Sequence, residues 1–262
     1  MKTQKNDMAD AEAICEAVTR PTMRFVPIKT IEQQSLMVLH GVRDQLISIS
    51  TKLINTIRGH LAEFGVVGAK GRLGVEAILK ILADPNDRRI PALARQCLTP
   101  LASELKRVKR DILNMDRRIM MVHRASKLSK RLETIPGVGP VTATRVAAEV
   151  ADPGSFKSGR AFSAWIGLVP RQHSSGGRDR LGHITKTGHP QLRRLLVAGA
   201  MSMIIRARQL GYSKHPWLVR LLERKPVKVV AVALANKIGR MIWALMVSGE
   251  RFKAEKLVAE AA

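Results

Sequence analysis

The chain has 262 residues, 45% of them hydrophobic, with a formal net charge of +24 and an isoelectric point near 11.1. That composition can bury one large or two ordinary cores, which excludes a disordered tail, and the charge calls for a polyanionic partner, most simply nucleic acid. Aromatic residues are only 3%, against base-stacking modules, and Cys15 and Cys97 have no CxxC partner or neighbouring His, against structural zinc or a disulfide framework.

Two unpaired cysteines suit a reducing, intracellular setting. The basic start at Met1-Lys2-Thr3 has no apolar run behind it, so no export leader is expected. No membrane partner is expected either. Leu195–Ile205 is too short to span a bilayer, and Val227–Val247 is interrupted by Asn236, Lys237 and Arg240.

The first predicted element is a helix within residues 1–20, ending before Pro21. Asp7 and Asp10 are three apart and fall on one side of it. Two such carboxylates are half of a typical divalent-metal set, because Mg²⁺ takes hard oxygen ligands. They equally suit an acidic first turn favoured by the helix dipole.

From Thr30 a long amphipathic helix is predicted, with Leu39, Val42, Leu46, Ile49, Leu53, Ile57 and Leu61 along one face. Glycines at 65, 68, 71 and 74 break it, and short helical pieces follow around Val75–Leu82 and Ile90–Leu98. Thr99-Pro100 predicts an N-cap with proline in the first turn. Beyond it Leu101, Leu105, Val108, Ile112, Met115, Ile119 and Val122 keep alternating four- and three-residue spacing, a heptad seam with Lys and Arg outside. The two helices suggest an antiparallel coiled-coil hairpin or a dimerisation surface.

Residues 134–150, TIPGVGPVTATRVAAEV, have the form of the second half of a helix-hairpin-helix. Ile135 is expected inside, Gly137 and Gly139 allow a tight turn, and Pro140 opens a helix whose N–H groups could hold a phosphate. Arg160–Ile166 reads as a short helix carrying Trp165 inward. Gln191–Leu210 and Pro226–Val247 read as long helices, and no internal repeat is evident.

Between these helices lies Gly167–Leu196. An apolar segment, Gly167–Pro170, leads into a polar turn, Arg171-Gln172-His173-Ser174-Ser175-Gly176-Gly177, and Pro190 opens the next helix. Arg171, Arg178, Arg180, Lys186, Arg193 and Arg194 face a single acid, Asp179. Such cations suit a phosphodiester backbone. A serine among them could attack phosphorus, although a solvated Ser/Gly loop that only touches phosphate has the same composition.

In this order the motifs resemble the insertion-sequence one-hundred-and-ten family of transposases, the bridge-RNA-guided recombinases. Lys5-Asn6-Asp7-Met8-Ala9-Asp10-Ala11 is similar to the family's K-x-D-x-x-D-A segment. Ile135–Val150 and Ala164–Leu196 look like the start and middle of its transposase domain. The family pattern G-L-x-P-R-x-x-x-S-G falls on Gly167–Gly176 and puts the family serine on Ser175, with Ser174 one residue off.

The resemblance implies a mainly α fold. Residues 1–29 would be a C-terminal remnant of an RuvC-like domain with a DEDD metal site, and 30–128 a coiled-coil helical hairpin. Residues 129–250 would be the transposase domain with its helix-hairpin-helix and serine loop, and 251–262 a tail. It implies Ser175 as nucleophile, Asp7 and Asp10 as metal-binding acids, and Gly137, Gly139, Arg171, Arg178, Arg180, Lys186, Arg193 and Arg194 as nucleic-acid contacts. DNA, a guide RNA and further copies of the chain would be partners, in a prokaryotic cytoplasm. The family's first two acids precede this segment and are absent from the sequence, so the expectation is a truncated, catalytically deficient chain that holds Mg²⁺ only if those acids are supplied. The alternatives are a non-catalytic basic helical DNA- or RNA-binding protein and a coiled-coil scaffold.

Overall fold

A computed structural model of the chain describes residues 6–21, 23, 25–173, 180–210 and 216–252. Helix α1, Asp7–Thr19, starts on Asn6, whose side chain accepts the amides of Met8 (2.7 Å) and Ala9 (3.3 Å). None of its residues is buried. Helix α2, Ile31–Glu63, opens with a capping box in which Thr30 and Gln33 each accept the other's amide. The Gln33 amide group also donates to the carbonyls of Ala147 (3.1 Å) and Val150 (3.3 Å), tying the start of α2 to the C-terminal half of the chain.

Helices α3, Arg72–Ala83, and α4, Ala92–Ala125, complete a helical hairpin. Its far end is one apolar cluster, in which Ile57 and Leu61 of α2 join Ile78 and Leu82 of α3 and Leu98 and Leu105 of α4. At the other end Arg43 meets Asp116 at 2.6 Å. The two long helices therefore run antiparallel.

The break expected at Thr99-Pro100 does not occur. Pro91 is the N-cap, and α4 runs through Pro100 without stopping. Proline in a helix interior costs about 3 kcal/mol. Here the apolar face runs unbroken through Leu98, Leu101 and Leu105 on the same cluster, and burial offsets that cost. Thr99 donates its hydroxyl to the Arg95 carbonyl at 2.7 Å.

The heptad seam also slips where a third helix arrives. Leu105, Val108 and Ile119 are buried, but Val122 is 37% exposed and His123 takes its place inside. On α2, Val42 is exposed and His40 is buried. Both exchanges occur at the end of the hairpin that packs against α6, Pro140–Glu149, so the buried face there turns toward a different neighbour.

The described residues between 127 and 252 form a second core. Helix α5, Lys127–Glu133, leads through the turn 134–139 into α6. Helix α7, Gly159–Ile166, then precedes strands β1, Pro170–Gln172, and β2, Leu181–Ile184, which pair antiparallel. Helix α8, Pro190–Leu210, α9, Pro216–Arg224, and α10, Val227–Ser248, close the unit. Helix α10 is long and apolar enough to cross a membrane, but its Val230, Leu234, Ile238 and Ile242 are buried against this core.

One contact inside this core is backbone on backbone. Gly137, at φ +85°, lies against Gly199 of α8. A methyl group on Gly199 would sit 2.0 Å from the Gly137 carbonyl oxygen, whereas one on Gly139 meets nothing within 4 Å. Gly199→Ala is expected to cost about 2–3 kcal/mol through overpacking, and Gly139→Ala little. Equal thermal stabilities of the two variants would contradict this packing.

Candidate nucleic-acid interface

Strands β1 and β2 form the stem that brackets residues 174–179. Pro170 pairs with Ile184 and Gln172 with Leu181, and the His173 amide donates to the Arg180 carbonyl at 2.8 Å. Sequence reasoning put Arg171 in the turn; it stands on β1. Ser174, Ser175 and Arg178 lie outside the described residues, as does Asp179.

The stem is fixed to its neighbours through backbone contacts that only glycine permits. Gly167 ends α7 at φ +82°, and a side chain there would meet the Thr187 carbonyl oxygen at 2.1 Å. Gly188, at φ +99°, sits against the Trp165 carbonyl. Trp165 itself packs on Phe162, Phe156 and His189.

The predicted cations separate into two kinds. Arg171, Arg180 and Lys186 are exposed around the stem, and Arg171 donates to the Thr185 carbonyl at 3.2 Å. Arg193 is half-buried and donates to the Ile166 carbonyl at 2.9 Å, so it holds α8 to the end of α7. Arg194 is 62% exposed, yet donates to Asp44 Oδ1 of α2 at 2.9 Å. Arg193 is thus committed to packing.

Sequence reasoning missed the charged network beneath Arg194. Arg145 donates to Asp44 Oδ2 at 2.7 Å. Its Nε forms an ion pair with Glu149 Oε1 at 3.4 Å, short of hydrogen-bond geometry. Glu149 Oε2 accepts from His189 Nε2 at 3.0 Å, and the Leu192 amide donates to His189 Nδ1. Burial pushes the Glu149 carboxyl up, but the hydrogen bond and charge of His189, with Arg145 and Lys29, leave it below its ordinary value. The Arg145–Glu149 spacing is a visible i,i+4 pair; Asp44 and His189 carry no local signal.

His40 belongs to the same interface. Its Nε2 donates to the Thr144 hydroxyl at 3.1 Å, which in turn donates to the Pro140 carbonyl. Burial, and then the charge of Arg145, push the imidazole down to about 4. The unfolded chain protonates near the ordinary 6.5, so stability is complete above that pH and falls as pH drops toward about 4. Up to about 3 kcal/mol should be lost across that window. Urea titrations at several pH values should show a shallower loss for His40→Gln, and parallel curves would contradict the assignment.

His123 offers a superficially catalytic geometry, with Nδ1 2.7 Å from Ser129 Oγ and Nε2 3.0 Å from Glu133 Oε2. Ser129 is fully buried, and no substrate reaches it. The trio clamps α4 to α5.

The turn 134–139 presents Gly139, exposed, at the N-terminus of α6, which has no side-chain cap. Gly137 faces the interior instead. Asp7 and Asp10 are exposed in the first turn of α1. Two carboxylates do not make a Mg²⁺ centre, and no group of three or more His, Cys, Asp or Glu among the described residues could hold a metal.

Comparison with known proteins places this geometry. The profile of the transposase IS116/IS110/IS902 family matches residues 129–215, which contain the turn 134–139, the stem and the whole of α8. A Sinorhizobium fredii protein named as a transposase, y4pF/y4sB, is 49% identical over 97% of this chain and 65% of its own length. A Pseudomonas aeruginosa protein named as a family 20 transposase is 42% identical over 94% of this chain and 73% of its own. The chain belongs to the IS116/IS110/IS902 transposase family. The transposase for insertion sequence element IS1111A of Coxiella burnetii is 41% identical over 97% of this chain and 70% of that protein. This family member therefore spans about two thirds of the length of these relatives.

Proposed function

We propose that the chain acts in DNA strand transfer for an insertion sequence, with Ser175 as the nucleophile. The observation that carries this reading is the β1–β2 stem, which brackets 174–179 inside the family match and carries exposed Arg171, Arg180 and Lys186. Cations there neutralise phosphate oxygens and position a backbone. Ser175 Oγ bonds to phosphorus as a deoxyribose hydroxyl leaves, and its proton passes to a base or water. The hydroxyl of a second DNA end then displaces the serine, restoring Ser175 and closing the new strand.

The turn 134–139 and α6 are proposed to act as a helix-hairpin-helix, with the open amides around Gly139 on one phosphate. Sequence choice is proposed to come from a guide RNA by base pairing. Mg²⁺ is proposed only in company with further acids beside Asp7 and Asp10, where it would polarise the scissile phosphate. The boundaries after residues 29, 128 and 250, homo-oligomerisation and a cytoplasmic, nucleoid-associated setting complete the proposal.

Its test is a covalent adduct. The chain is incubated with supercoiled donor and target plasmids, guide RNA and Mg²⁺, with and without a version extended by the upstream family segment. Denaturing gels and peptide mass spectrometry then look for DNA linked to serine. An adduct on Ser175 is expected from at least one version. DNA binding without any adduct would leave the non-catalytic binding protein as the correct account.

A further inference from the structure

The outer side of α4 carries a charge pattern that neither the core nor the interface above uses. Between residues 101 and 125 there are seven Lys and Arg against three acids. The acids lie toward the flanks and are taken: Glu104 and Asp111 pair with Arg107, and Asp116 with Arg43. Lys106, Arg110, Arg117 and Arg124 are all exposed. At about 100° per residue they fall on one stripe, roughly opposite buried Leu105 and Ile119 and half-buried Ile112. The stripe spans about 27 Å of straight helix.

A merely solvated helix face usually mixes signs in i,i+4 pairs. This one has a single sign along its whole length. The outer side of α2 sets the contrast, with neutral Gln34, Ser35, Gln45, Ser48, Thr51 and Asn55 exposed and Lys52 among them. The hairpin therefore has one charged side and one neutral side. Leu113 and Met121 interrupt the stripe at 57% and 62% exposure, but two apolar side chains are too few to seat a partner helix. A second copy docking by two-fold symmetry would set these cations against one another.

We propose that this face of α4 is a second phosphodiester-binding track, which takes the backbone of duplex DNA. A convex face without aromatics offers no stacking platform for single strands. Duplex DNA is straight over 27 Å and carries one charge per about 1.7 Å, so four cations in line meet several phosphates. The inference rests on the chain being a DNA-binding transposase, and it adds the helical hairpin to the surface that holds DNA.

The test is the salt dependence of binding by the full chain to a duplex of about 30 base pairs, from about 50 to 200 mM salt. Changing Lys106, Arg110, Arg117 and Arg124 to Gln should reduce the slope of log K against log salt by about 3–4, at 0.9 per phosphate. Arg107→Gln, whose cation is already paired, should leave the slope unmoved. An unchanged slope in the fourfold variant, or a change seen with duplex RNA only, overturns the track. No salt-dependent DNA binding by the unaltered chain overturns the transposase reading itself. In case the fourfold variant loses its helicity, acetylation of the unaltered chain gives a second measurement. Duplex should shield Lys106 several-fold and leave Lys52 reactive, and equal reactivity at both also overturns the track.

Discussion

Replacing Ser175 by alanine is expected to abolish the covalent DNA adduct and strand transfer, with DNA affinity unchanged within about twofold. The substitution removes one oxygen and leaves every cation in place, and affinity for a backbone is set by those cations. Loss of a nucleophile costs at least about a thousandfold in rate, because no other group at the same place can form the intermediate. Ser174→Ala should keep most of the activity, since the family pattern falls on the second serine of the pair. Arg171→Gln with Arg180→Gln should show the opposite profile, with weaker binding and a shallower salt slope. A Ser175→Ala chain that still forms adducts would sink the assignment. Transfer of the loss to Ser174→Ala would shift the reading by one residue.

The apolar framework was legible because it is periodic. Leu105, Val108 and Ile119 are buried as the heptad spacing predicts, and Ile135 faces inward as the turn requires. Proline before a helix was equally informative at Pro140 and Pro190, each the first residue of its helix. At Pro100 the same signal misled, because local propensity gave way to continuous burial from Leu98 to Leu105. Polar partnerships were illegible for a different reason. Asp44 and Arg145 are 101 residues apart, His40 and Thr144 are 104 apart, and nothing periodic links them. Ser175 is assigned through family resemblance, not through geometry.

Asp44→Ala is expected to destabilise the chain by about 3 kcal/mol, the low end of what breaking a buried ion pair costs. The Asp44 side chain is 22% exposed, and it holds Arg145, which is 8% exposed, together with Arg194. Removing the carboxylate leaves the Arg145 guanidinium inside the protein with Glu149 alone, at 3.4 Å. Most of the cost is that uncompensated charge, not the lost attraction. It follows that Asp44→Ala combined with Arg145→Met should recover part of the loss, since the buried cation is gone as well and Glu149 keeps its hydrogen bond from His189. Arg194→Ala should cost less than about 1 kcal/mol, as expected of a largely exposed partner. Urea unfolding of the unaltered chain, Asp44→Ala, Arg145→Met and the double variant gives the coupling directly. A loss below 1 kcal/mol for Asp44→Ala would mean that water reaches Arg145. A full loss, with recovery in the double variant, would make Asp44 the pin between α2 and α6. The helical hairpin that carries the α4 track would then be fixed to α6 through one buried ion pair.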